Sequence, residues 1–178
     1  MAVVGADAFM LVLRFLHVVS GALWVGSAFL FVGFIGPSAA EVGPSAGPLM
    51  SAAVKKRKVA TVITVLGAVT VAAGWIMWLR NLDAYGGFSN WAGSRFGLVI
   101  TVGAMLATIT FVVGFLGVGR NVERMVALGD EIAASGGPPT PEQAASMQRL
   151  GAALERYGRI DLVLLLLAIT AMATARYW

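Results

Sequence analysis

The 178-residue chain contains no cysteine and a single histidine. Without thiols there are no disulfides, no thiolate metal sites and no cysteine nucleophile, and the sequence carries no sign of a redox compartment. Charge is scarce too: Asp, Glu, Lys and Arg make up 12% of the residues, roughly half the share found in an ordinary soluble domain. Alternating polar and apolar residues, which a membrane-spanning strand requires, do not occur. The glycines of residues 36–47 follow no strand and lead into no Gly-Lys-Ser/Thr, so they form no phosphate-binding loop.

What the chain has is apolar length. Hydrophobic residues account for 58% of it, and the mean hydropathy is +0.83. They gather in four blocks, about 8–35, 59–79, 96–118 and 160–178. Each reaches the about 20 residues a helix needs to cross about 30 Å of hydrocarbon. The expected fold is all-α, an integral membrane four-helix bundle forming one domain over 1–178. The first block resembles a signal peptide only in the small residues Ser38, Ala39 and Ala40 that follow it. No Lys or Arg precedes Arg14, and the run exceeds a signal h-region, so a retained span is expected.

The net charge of +4 and a pI near 10 do not indicate nucleic acid, because of where the charges lie. Lys55, Lys56, Arg57 and Lys58 separate blocks one and two; Arg120, Arg124, Arg149, Arg156 and Arg159 separate blocks three and four. Only Arg80, Arg95 and Arg176 lie on the other side, with Arg14 inside a span. The positive-inside rule then places both basic loops in the cytoplasm and both termini outside, as in a multi-pass protein of the cell membrane. Trp75, Trp78, Trp91 and Trp178 would form an aromatic belt at the outer interface. The basic runs read as topology determinants and anionic-lipid contacts.

Residues 36–54 repeat GPSA at 36–39 (GPSA) and 43–46 (GPSA), and read as a bent connector. Beyond block three, Val122, Met125, Val126 and Leu128 continue a helical pattern until GGPP at 136–139 stops it. Thr140, Pro141 and Gln143 then form a capping box with proline at the first helical position. Met147, Leu150, Leu154 and Tyr157 lie on one helical face. These features predict an extended cytoplasmic helical hairpin over about 119–159, with helix four running from about Thr140 to the C-terminus.

An ionisable residue inside a span is costly and is a functional candidate by default. His17 and Arg14 qualify, and Asp161 stands at the inner edge of block four, where Lys58 or Arg120 would be its partner. On a helical wheel Met10, Arg14, His17, Gly21, Trp24 and Ala28 share one stripe, flanked by Ser20 and Ser27. His17 lies nine residues, about 13 Å, into its span. Matched depths fall near Met105 on block three, Thr70 to Gly74 on block two, and Thr170 and Met172 on block four. His17 with Met105 would suit a b-type haem, since His/Met ligation is an established arrangement; Arg14 would pair with a propionate, and Gly21 and Trp24 would line the site. The competing reading makes His17 a packing residue bonded to a hydroxyl such as Thr101 or Thr170.

The segment LRFLHVVSGALWVGSAFLF at 13–31 (LRFLHVVSGALWVGSAFLF) resembles the first helix of a superfamily of small four-helix bacterial membrane proteins. That superfamily includes copper-resistance protein D, a predicted integral membrane protein branch and the haem-containing protoporphyrinogen oxidase. His17, Trp24 and Gly26 carry the resemblance, and chain length, four spans and the basic run before span two agree with it. The resemblance implies haem at His17. The chain departs from the oxidase branch at Phe34, Ile35 and Gly36, where that branch has an Arg and a His, and at the start of span three, where Arg95 stands in place of a lysine. It also lacks the concentrated His, Met or Cys donors of a copper transporter. The expected function is haem-b binding in electron transfer or in haem/copper handling. The alternative is a non-catalytic accessory or assembly subunit, whose partners would be other membrane subunits or a second copy of the chain.

Overall fold

The computed structural model describes residues 7–178, and among these every regular element is helical. Four continuous helical stretches, Ala8–Lys56, Val59–Ala84, Arg95–Ser135 and Pro141–Tyr177, are long and apolar enough to cross a membrane. The chain is an all-α, multi-pass membrane protein.

Helix α1 (Ala8–Leu30) starts on Asp7, whose Oδ1 accepts the Phe9 and Met10 amides at 3.1 and 3.5 Å. Two of the donors that a helix start leaves free are thereby satisfied. A π-helical turn (Phe31–Ile35) follows, then α2 (Gly36–Val42), a 3-10 turn (Gly43–Ala46), α3 (Gly47–Ser51) and a second π turn (Ala52–Lys56). The expected bent connector is therefore mostly helical. Pro37, Pro44 and Pro48 each stand at the first or second position of their segment, where a missing amide costs no hydrogen bond. Within 36–58 the backbone takes a positive φ only at Gly43, at +66°, and at Lys58, at +52°.

Helix α4 (Val59–Ala84) runs past its expected end at 79, and Gly86 and Gly87 then turn the chain. After α5 (Phe88–Gly93), α6 (Arg95–Val113) passes through a third π turn (Gly114–Gly119) into α7 (Arg120–Ser135). Gly136, left-handed at φ +67°, ends α7. Helix α8 (Pro141–Thr174) opens on the expected capping box: the Gln143 amide donates to Thr140 Oγ1 at 3.2 Å, and Gln143 Oε1 accepts the Thr140 amide at 3.0 Å. Its 34 residues extend about 51 Å, more than the about 30 Å of a hydrocarbon core.

The helices form two compact units. One comprises residues 7–25 with Val65–Phe111 and Leu164–Trp178; the other comprises Gly26–Thr64 and Val112–Val163. In the second, the α7–α8 hairpin closes where Met147 Cε comes within 3.9 Å of the Cβ position of Gly129. Lys55 and Ser51 both reach the Asp130 carboxylate on α7, the serine at 3.2 Å. In the first, Gly103 admits the Met172 side chain at 2.9 Å and Ala171 at 3.4 Å from its Cβ position, so α6 and α8 approach closely at this glycine.

Candidate functional site

Helices α1 and α4 meet in a matched series. Where α1 carries His17, Ser20–Gly21 and Trp24, α4 presents Gly74, Thr70 and Gly67, in antiparallel order. A Cβ on Gly74 would lie 2.9 Å from His17 Cε1, and one on Gly67 would lie 3.0 Å from Trp24 Cε2. The Cβ position of Gly21 is 3.3 Å from Thr70 Cγ2. His17 and Trp24 thus occupy slots that α4 leaves open, which is how small residues bring membrane helices together.

Thr70 binds α1 through two atoms. Its carbonyl oxygen lies 2.8 Å from His17 Nδ1, and its hydroxyl lies 2.8 Å from Ser20 Oγ. Both hydroxyls also reach carbonyls of their own helices: Thr70 donates to Leu66 at 2.8 Å, and Ser20 to Leu16. Two hydroxyl protons therefore serve three contacts, so one of them is shared or exchanges between helices.

The partner of His17 fixes its proton. A carbonyl only accepts, so Nδ1 must donate, and in the neutral ring the lone pair then sits on Nε2. A histidine that donates one ring N–H to a backbone carbonyl is held in the tautomer and orientation that a metal ligand uses. Thr70 can accept this bond beside its helical one because a carbonyl oxygen has two lone pairs.

Of the five residues expected to form a haem site, the structure gives only His17 a ligand-like setting. Met105 is 52% exposed, while its neighbours Gly103 and Ala104 are buried. It stands at the expected height but on the outward face of α6, so it is not brought to His17. Arg14 is exposed on α1 and forms no ion pair among the described residues. The buried stripe of α1 instead runs through Leu13, Ser20, Trp24 and Ala28, with His17 half-buried on it. Trp24 is 5% exposed, packed on Gly67 and edge-on to Phe111 at 6.3 Å. Trp24 and Gly21 pack on α4, against Gly67 and Thr70 respectively. Thr70 escaped the sequence reading as a partner because a backbone carbonyl leaves no residue-type signal; only its matched depth pointed to it.

The expected hydroxyl partners of His17 are engaged elsewhere. Thr170 is exposed and bonds its own helix. Thr101 accepts the indole N–H groups of Trp78 and Trp91 at 2.9 and 3.1 Å and donates to Gly97 at 2.7 Å, which uses its full capacity. Trp75 likewise donates to Thr108 at 2.9 Å. These three tryptophans join α4 and α5 to α6 from within, Trp91 wholly buried, whereas Trp178 is exposed as a belt residue would be.

Among the described residues no group of three or more His, Asp or Glu side chains converges as a metal site. No family model, no curated protein and no solved structure matches the chain. What fold and site together define is a multi-pass helical membrane protein with one oriented intramembrane imidazole.

Proposed function

We propose that the protein binds haem b through His17 and serves electron transfer or haem/copper handling in a bacterial inner membrane. The observation that carries this reading is the 2.8 Å contact from His17 Nδ1 to the Thr70 carbonyl, which leaves Nε2 as the free donor. An axial ligand needs that lone pair and that restraint. Bound haem would supply reversible one-electron chemistry, and His17 would hold its iron. Met105 is not part of this proposal. In the accompanying topology both termini are extracytoplasmic and the basic loops are cytoplasmic.

A second reading has its own support. The Ser20–Thr70–His17 network already satisfies Nδ1 and joins two helices, as a purely structural clamp would. The chain would then be an accessory subunit of a larger membrane complex. Absorption spectroscopy separates the two. Purified protein expressed with ample haem should show a Soret band that His17→Ala abolishes while the variant still inserts. A wild-type protein without that band refutes haem binding and leaves the clamp.

A further inference from the structure

Asp161 on α8 is 6% exposed, and its Oδ1 is buried without a hydrogen-bond partner. An ion pair with Lys58 or Arg120 was expected, but among the described residues no salt bridge reaches it. Lys58 is exposed, and Arg120 lies over the Phe115 ring at 5.8 Å. The carboxylate instead faces Gly114, whose Cβ position is 3.0 Å from Oδ1.

Gly114 opens the π turn between α6 and α7, and two further features shape that turn. The Cβ position of Gly117 is 2.7 Å from Tyr157 Cγ, so the residue one helical turn before Asp161 also occupies a glycine slot. The Asn121 amide donates to the Gly117 carbonyl at 2.6 Å, serving an acceptor where the backbone pattern changes register. The aspartate thus meets the one irregular turn of the α6–α7 stretch through a space that only glycine leaves.

Among the described residues no countercharge stands within ion-pair distance of Asp161. The facing turns, 31–35 and 114–119, contain no titratable residue, and Val32 packs on neighbouring Gly158 at 3.1 Å from its Cβ position. On α8 itself Tyr157 is the nearest titratable group on this face; Arg156 is exposed, and Arg159 pairs with Glu155. On α7, Glu123 and Arg124 are exposed. A carboxylate buried without a partner is a costly state, and adding one proton removes its charge and supplies an O–H donor.

We propose that Asp161, set against the Gly114–Gly119 π turn, is a reversible proton-binding site. One proton from water joins the carboxylate to give the neutral acid and returns to water on release. No electron or other co-reactant takes part, and the site is independent of haem at His17.

Infrared spectroscopy of the full chain in liposomes tests this across a pH series. The wild-type minus Asp161→Asn difference should contain a carboxylic acid C=O band that converts reversibly to carboxylate bands as pH rises. Gly114→Ala should shift that band or its midpoint, because the added methyl meets Oδ1. Carboxylate bands at every pH, or an acid band that no pH removes, would overturn the proposal. So would sodium converting the acid band to carboxylate at fixed pH, which would mark a metal-cation site. If Asp161→Asn does not insert, Gly114→Ala decides: spectra superimposable on wild type at every pH refute it.

Discussion

Gly74→Ala adds one methyl group opposite His17, and its effect follows from distances already given. The new carbon would stand 2.9 Å from Cε1 and 3.1 Å from Nδ1. Carbon atoms in contact prefer about 3.5–4.0 Å, so the ring must retreat by about 0.6 Å or α4 must yield. A retreat of that size stretches the 2.8 Å bond to Thr70 to the edge of hydrogen-bonding range. Overpacking costs about 1–3 kcal/mol and the lost intramembrane bond about 0.6 kcal/mol. Replacing a helical glycine returns about 1 kcal/mol. The net expectation is a loss of about 0.6–2.6 kcal/mol. Gly26→Ala is the internal control, since no atom lies within 4 Å of its Cβ position; it should be neutral or stabilised by up to about 1 kcal/mol. Unfolding in mixed micelles titrated with dodecyl sulfate, followed by circular dichroism, measures both. The ring nitrogen resonances of His17 should shift in Gly74→Ala and stay in place in Gly26→Ala. Equal stability of the two variants with unchanged imidazole resonances would refute the α1–α4 register described here.

Two further outcomes are expected. A reporter fused after Trp178 should be extracytoplasmic and one inserted at Gly137 cytoplasmic, following the nine-to-three asymmetry of the basic residues; protease protection reads this, and the opposite pattern refutes the orientation. Thr140→Ala removes the hydroxyl that accepts the Gln143 amide and should cost about 1 kcal/mol of helix stability. That loss should appear as faster amide exchange confined to the first turns of α8, and unchanged exchange there would show that the cap adds nothing.

The spans and the start of α8 were legible because their causes are local. Hydropathy over about 20 residues decides whether a segment crosses a bilayer, whatever it touches. The capping box at Thr140 and Gln143 closes over three residues and needs no tertiary contact. The helicity of 36–56 was harder to see, since three prolines and three glycines resemble a loop signal. Their positions relative to each helical start decide the outcome, and those starts were not apparent in advance.

The site was legible in height and not in azimuth. Counting residues along straight helices put Thr70 to Gly74 level with His17, and His17 bonds Thr70 and packs on Gly74. The same count put Met105 level with it, yet Met105 faces outward. In a soluble protein polarity would have separated the two faces of α6. In a bilayer both faces are apolar, so the contact face is marked by smallness instead: Gly67, Thr70 and Gly74 on α4, Gly103 on α6, and Gly114 and Gly117 in the π turn. By that criterion His17 and Asp161 each stand opposite a glycine that leaves room, Gly74 and Gly114 respectively. The glycine pattern is therefore a better guide than hydrophobic periodicity to which helix faces meet in this protein. Arg14, by contrast, falls outside the buried stripe of α1: among the described residues it is not a nearest neighbour of any glycine, and its side chain is exposed.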